Sequence, residues 1–314
     1  MGKYIIRKLL LAIPVLLGIT LIDYAIMCLA GSPLDMMVGP RVSEAALAAR
    51  AAQWGLDQPF LVQYWHWLVE LLHGNLGYSY KSYMPVAELI GSHVGPTLLL
   101  MGVSMVLGLL IAVPAGIYSA VHRYKKRDYA VVTSSFLFSS IPGFFLSLIL
   151  IYFLNVRLGW LPSSGMSTPG TGGDFLDVAR HLIMPSIVLA VGVAGGNIRY
   201  IRSAVLEILE MDYLRTAKAK GMGRRVVINQ HALRNALLPI VTVIGMQIPT
   251  LFGGAVIIEQ LFSWPGLGLV TMSAVTGRDY PVIMGVCLLS AVVVLAANLL
   301  TDILYALVDP RIKY

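Results

Sequence analysis

The chain has 314 residues, 57% of them hydrophobic and 12% charged, with 23 Lys and Arg against 16 Asp and Glu for a formal net charge of +7. Its charged fraction is about half the ~25% of a soluble domain, and its mean hydropathy is +0.78. These figures exclude a soluble globular enzyme, a disordered chain, a collagen-like fibre and a disulfide-built secreted domain, and leave an integral membrane protein, which the long apolar segments below make all-α.

Six apolar segments reach the ~20 residues a spanning helix needs: 9–29, 97–121, 130–154, 181–198, 237–258 and 282–304. The first is longer than the core of a signal peptide. It also places bulky Met27 before Cys28, where a lipoprotein signal wants a small residue, so it reads as a retained helix. Cys28 and Cys287 both lie in apolar stretches and read as small buried hydrophobes rather than a disulfide.

The segment 31–96 is too long for a simple connection. Residues 43–54 predict a helix with Ser43 as N-cap, 55–59 break it, and 60–72 resume a helical pattern containing Trp65 and Trp67. Such aromatics suit a helix at the membrane interface. Two readings stay open: a packed collar around a pore mouth, or a docking surface for a delivery protein.

The fourth span is the weakest, diluted by Gly192, Gly195 and Gly196. Pro14, Pro114, Pro142, Pro185 and Pro249 fall inside spans, where each removes a backbone donor. Ordinary packing and hinge roles are both open for them. Gly143 and the pair Gly253-Gly254 would let helices approach closely.

Charge placement gives the orientation. Seventeen of the 23 basic residues fall on the side of the N-terminus, chiefly in 123–127 and 199–234, which predicts that both termini are cytoplasmic. It also accounts for the isoelectric point near 9.4 without nucleic acid.

On the predicted inner side, Asp212 is a suitable N-cap for a two-turn helix over 213–220. Lys218 and Lys220 occupy its last turn and Gly221 its terminating position. A helix this short needs tertiary or partner contacts. Ala217 and Ala219 leave it thin enough to enter a groove. The stretch 224–235, with Arg224, Arg225, His231 and Arg234, then runs into the fifth span. Beyond that span, Glu259, Phe262, Trp264, Pro265 and Gly266 belong to a loop whose apolar residues imply that it dips into the protein. Non-helical backbone at that depth must be buried or line a cavity. An outer gate and simple packing are both open.

At this point a resemblance becomes visible. Arg215-Thr216-Ala217 followed by Gly221 resembles the cytoplasmic EAA loop of permease subunits in ATP-binding-cassette importers, with Arg215-Thr216 standing where the generic loop has Glu-Ala. Asp212 through Gly221 followed by His231-Ala232-Leu233-Arg234-Asn235-Ala236 is similar to the peptide-permease branch. So are Trp54-Gly55-Leu56-Asp57-Gln58-Pro59, Glu259 through Gly268, Arg278-Asp279-Tyr280-Pro281 and Asp309-Pro310-Arg311. The likeness covers essentially the whole chain and is to the B-type subunit of dipeptide, oligopeptide or nickel importers.

The resemblance implies a multi-pass subunit of the bacterial inner membrane, paired with a homologous second permease as a heterodimer. Two ATPase subunits would carry ATP and Mg and dock on the short loop helix, and an extracytoplasmic binding protein would deliver substrate. No cofactor or metal is expected in this chain itself. It further implies ATPase coupling through Asp212, Arg215, Ala217, Lys218, Gly221, Arg224, Arg225 and His231. The chain would then divide into residues 1–30 (cytoplasmic tail and first helix), 31–96 (extracytoplasmic region) and 97–314 (five-helix core with coupling loop 199–236).

Peptides are the expected substrate, with nickel, metal chelates or glutathione as alternatives on the same machinery. Two other classes have less to build on. A secondary carrier wants ionisable groups at mid-membrane, and only Asp23 and Asp302 fall within spans, the latter one turn from Asn298. An enzyme wants a site, yet all six histidines fall in loops or span ends. The sequence contains neither a His-Glu-x-x-His motif nor a phosphate-binding loop of the Gly-x-x-x-x-Gly-Lys-Ser/Thr type.

Overall fold

The computed structural model describes residues 2–36, 43–171, 173–223, 226–247 and 255–308. Arg41, Arg224, Arg225, Pro249, Gly253, Gly254 and the Asp309-Pro310-Arg311 motif lie outside them. Among the described residues the chain is helical, with one isolated bridge between Tyr78 and Pro85. Helices are numbered α1 to α12 in chain order.

Four helices are long and apolar enough to cross a membrane unbroken: α1 (Gly2–Ala30), α4 (Val86–Val121), α7 (Phe175–Leu209) and α12 (Tyr280–Val308). A bent pair of helices is long and apolar enough to cross when taken together. It consists of α5 (Lys126–Ser140) and the run Gly143–Arg157, in which α6 (Gly143–Leu150) passes into a π-helical turn, and the two halves meet at 91°. At the place of the fifth predicted span, a π-helical turn (Val227–Ala232) leads into α9 (Leu233–Gln247). The α4/α5 connection and α8 mark one end of the bundle, the basic end. The opposite end is aromatic and holds α2 (Glu44–Trp54) and α3 (Phe60–Leu72).

Two boundaries differ from the sequence expectation. The third span is not one continuous helix over 130–154. Pro142 has no N–H to continue α5 and holds Ile141 extended at φ −77°, ψ 118°. Ser139 and Ser140 turn their hydroxyls back onto the carbonyls of Ser135 and Phe136, at 2.9 and 2.8 Å, as the helix ends. The fourth span is not weak: it is 35 residues long. One of its three glycines is spent on contact: a Cβ on Gly195 would lie 2.6 Å from Ser139 Oγ, whereas Gly192 and Gly196 have nothing within 4 Å.

Helix α7 packs along α4 through a seam of small residues. A Cβ at Gly108 would stand 2.6 Å from Val193, and one at Gly116 would stand 2.9 Å from Ile201. Ser104, Ala112, Ser119 and Ala120 on the same face are buried. Close backbone approach of this kind takes the place of a hydrophobic drive between helices in lipid. At Gly143, one of the expected sites of close approach, the nearest atom to a Cβ is an ordinary 3.4 Å away, and Gly253-Gly254 lie outside the described residues.

Helix α1 joins α12 across the chain's length. Lys8 Nζ donates to Asp302 at 2.8 Å and Tyr4 donates to the same carboxylate at 3.0 Å. Asp302 is thus a structural polar contact as expected, but to α1 and not to Asn298. The caps of α2 also follow the sequence. Ser43 accepts from the Ala46 N–H, and Gly55 closes the helix at φ +68°. Helix α3 begins and ends where the pattern predicts.

Candidate functional site

The residues singled out for function gather at the two ends of the bundle. At the basic end, α8 (Asp212–Ala219) leaves α7 after a tight turn at Glu210-Met211. Its two faces differ sharply. Leu214 is fully buried and Ala217 nearly so, inside a cluster with Ile201, Val205, Ile208, Val227, Ala232 and Ala236. Arg215 and Asp212, by contrast, keep 73% and 93% of their side chains exposed. One face is therefore anchored in the core and the other is open.

Asp212 differs from the sequence expectation. It is the first residue of α8, not its cap, and its carboxylate sits 3.4 Å from Arg215 at (i, i+3). A carboxylate in the first turn still favours the helix dipole. Gly221 has the predicted terminating role. Its φ is +80°, and the Met222 N–H reaches back to the Ala217 carbonyl at 3.3 Å. Lys218 lies in the last turn of α8. His231 lies in the π-helical turn, where its carbonyl accepts from Asn235, which also donates to the Tyr213 hydroxyl at 2.8 Å. This bond ties α8 to the start of α9.

A pair of ionic links behind α8 was not read from the sequence. Arg202 of α7 grips Asp128 of α5 with two prongs, and Asp128 also accepts from the Ser119 hydroxyl at 2.5 Å and the Tyr124 N–H at 2.9 Å. Arg123 pairs with Glu210 beside it. The available signal was Asp128 itself, an acid directly after Arg123, Lys125, Lys126 and Arg127.

At the aromatic end, the stretch from Glu259 to Gly268 is buried. Helix α10 (Val256–Leu261) carries Glu259, which is inaccessible to solvent, and α11 (Leu267–Thr276) follows the turn. The Glu259 carboxylate accepts from the Thr97 hydroxyl at 3.0 Å and from the Gly268 and Leu269 N–H groups at 2.7 and 3.2 Å. Trp264 donates to the Pro96 carbonyl at 2.9 Å, and both Trp264 and Phe262 are core residues. Pro265 lies in the turn. Gly266 stands there because a Cβ would come within 2.5 Å of Glu259 and Thr97. The buried turn thus grips the α4 segment that holds Pro96 and Thr97.

A second latch lies beside it. Asp279 is buried and accepts from the Ser79 hydroxyl at 2.5 Å and the Tyr80 N–H at 3.0 Å. Arg278 pairs with Asp35 at 2.5 Å. Burial pushes the Tyr80 phenol well above its usual range, so the ring that stacks on Trp54 at 3.9 Å stays neutral.

Residues 112–314 match the family described as the binding-protein-dependent transport system inner membrane component, and residues 1–101 match the N-terminal portion described for such components. The chain belongs to this family. It is an inner-membrane transport subunit and not itself an enzyme, and the secondary-carrier and membrane-enzyme readings fall with that.

Full-length relatives agree. The chain is 46% identical to the oligopeptide transport system permease protein AppB of Bacillus subtilis, with all of both chains covered. It is 40% identical to the dipeptide transport system permease protein DppB of Escherichia coli K12, over all of this chain and 99% of that one. It is 38% identical to the glutathione transport system permease protein GsiC of Salmonella typhi, again over all of both chains. Among solved structures, a chain of the MetNI methionine ABC transporter in an inward-facing conformation aligns with a TM-score of 0.57 and 22% identity. The alignment covers 70% of this chain and 96% of that one, and at that identity the likeness speaks to fold. A permease of this kind works in a membrane complex with ATPase subunits and a binding protein.

Proposed function

We propose that this chain forms half of the translocation pathway of an ATP-driven peptide importer. The two-faced helix α8 carries the reading. A two-turn helix anchored by Leu214 and Ala217, with Asp212 and Arg215 exposed, is built to be held by a partner and to pass that partner's movement into the core. The peptide class rests on the oligopeptide and dipeptide transport for which the full-length relatives AppB and DppB are named.

In this reading the basic end is cytoplasmic, with both termini on that side. Residues 1–30 are tail and first helix, 31–96 the extracytoplasmic region, and 97–314 the core with its coupling loop at 199–236. A paralogous permease completes the pathway, and two ATPase subunits carry ATP and Mg. Their closure would press on Asp212, Arg215, Lys218 and the neighbouring Arg224, Arg225 and His231. The anchored residues Leu214 and Ala217 would carry that displacement to α7 and α9. Coupling requires that α8 make different contacts in the two states of the complex. The Glu259–Gly268 turn, with Phe262, Trp264, Pro265 and Gly266, is the outer gate, because it closes on α4 through contacts that a small shift of Glu259 would break.

The test is purification of the tagged chain from its native membrane in mild detergent, followed by reconstitution. The expected result is co-purifying ATPase subunits and a second permease, with uptake of di- and tripeptides that needs both ATP and the binding protein. Uptake without ATP would overturn the reading. Glutathione, itself a tripeptide, is the second reading, favoured by the 38% identity to GsiC and separated by offering both substrates.

A further inference from the structure

The bend between α5 and α6 holds a cation that nothing above employs. Arg199 of α7 reaches the end of α5, where its Nη1 donates to the Ser139 hydroxyl at 3.0 Å and the Ser135 carbonyl at 3.3 Å. Its guanidinium lies over the Phe136 ring, 4.6 Å from the centroid. Ser135 and Ser139 stand about 10 and 16 Å along α5 from Asp128, the residue beside the basic loop, while Arg199 itself is one turn of α7 from Arg202, so the site lies inward of the charged basic end within the length of a spanning helix.

A charge at that depth is costly unless it is paired or faces water. Arg123, Arg202, Arg215 and Arg278 each hold a carboxylate, whereas among the described residues none pairs with Arg199. Its Nε and Nη2 hydrogens also have no partner there. Ser139 and Ser140 beside it are exposed, as are the apolar Phe136, Leu137 and Phe138 of the same turns. An unpaired guanidinium does not suit acyl chains. Irregular backbone such as the Ile141-Pro142 break is tolerated at membrane depth where it lines a cavity.

We propose that Arg199 recognises the carboxylate of the transported peptide as it passes the bend. This rests on the peptide-importer reading and deepens it. Nη1 is held by Ser139 and Ser135, which leaves Nε and Nη2 without a partner among the described residues, and such a fork matches a carboxylate with two parallel hydrogen bonds. The α-carboxylate is the one anionic group common to peptides of every side-chain composition. A single arginine at the bend therefore selects for peptides without reading their sequence.

The experiment uses the whole complex in proteoliposomes, with its binding protein preloaded to equal occupancy by trialanine or by trialanine amide, so that delivery is the same for both. The wild-type complex should import the free acid at least tenfold faster than the amide. In R199Q the ratio should fall to within about twofold, and in R199K, which keeps the charge but not the fork, it should fall at least threefold. Simple capping of α5 would lower both uptake rates together and leave the ratio alone. A wild-type ratio near one, with both peptides moved, overturns the role of Arg199 while the peptide reading stands. A high wild-type ratio that survives in R199K or R199Q also overturns it. A complex that moves neither peptide overturns the peptide reading and this proposal together.

Discussion

Asp128 at the start of α5 and Arg202 near the end of α7 meet as a two-pronged ion pair, with Nε 2.7 Å from Oδ1 and Nη2 2.8 Å from Oδ2. The Asp128 side chain is 3% exposed, and its remaining acceptor positions are taken by Ser119 and by the Tyr124 N–H. Three helices converge on one carboxylate. Removing one member of a buried pair strands its partner, at a cost of roughly 3–5 kcal/mol. Asp128→Asn should therefore lower the unfolding temperature of the detergent-solubilised subunit well beyond Arg123→Gln, whose pair is mostly exposed. Equal thermal shifts in the two variants would show that the convergence on Asp128 does not hold the helices together.

Gly221 tests the elbow after α8. Nothing lies within 4 Å of a Cβ placed there, so the obstacle to a side chain is the backbone, held at φ +80°. Gly221→Val should strain that turn by about 1–3 kcal/mol and shift α8. The complex should still assemble, as judged by co-purification, while peptide uptake falls severalfold per ATP hydrolysed. Unchanged stoichiometry of uptake to hydrolysis would remove Gly221 from the coupling joint.

The two faces of α8 should separate in mutagenesis. Arg215→Glu on the open face should weaken retention of the ATPase subunits in a salt wash without altering the subunit's thermal stability. Leu214→Asp on the buried face puts a carboxylate into an apolar cluster and should abolish accumulation of the protein in the membrane. If Arg215→Glu retains its ATPases through the same wash, the open face is not where they dock.

Glu259 offers a test of the buried turn. Glu259→Ala leaves the Thr97 hydroxyl and the Gly268 and Leu269 N–H groups without their acceptor, at ~1–3 kcal/mol for each unsatisfied group. Proteoliposomes holding the variant should leak a small peptide in the absence of ATP, and Glu259→Gln should leak less because one acceptor oxygen remains. No leak in either variant, with transport unaffected, would leave the turn a packing element. Wholesale deletion of 262–266 is a poorer test, because Phe262 and Trp264 belong to the core.

Much of the fold was legible from hydropathy: the first, second, fourth and sixth apolar segments lie within the unbroken helices α1, α4, α7 and α12, and α2 and α3 fall where period and capping residues put them. Ser43 and Gly55 were readable because a cap depends only on neighbours in sequence. The 91° bend was not, although Pro142 was noticed. Proline alone does not distinguish a kink from a break, and what decides here is the hydroxyl pair Ser139-Ser140 satisfying carbonyls that the helix abandons. The strength of α7 was hidden for a related reason. Its glycines lower helix propensity locally, and the compensation comes from distant partners: Gly195 seats against α5, and Val193 and Ile201 seat against the α4 glycines. At the candidate site the exposed face of α8 was readable, but the Asp128–Arg202 pair joins residues 74 apart and no local pattern announces it.

The seam between α4 and α7 has a mechanical consequence. With Gly108 and Gly116 seated against Val193 and Ile201, there is no slack for the two helices to slide past each other, so they move as a single plank. A plank can only rock. Whatever pushes on α8 must swing the far edge of that plank, where Thr97 meets the buried turn, by an amount set by leverage and not by local softness. The subunit would then be jammed most effectively by wedging either edge of the plank, while its middle offers nothing to grip.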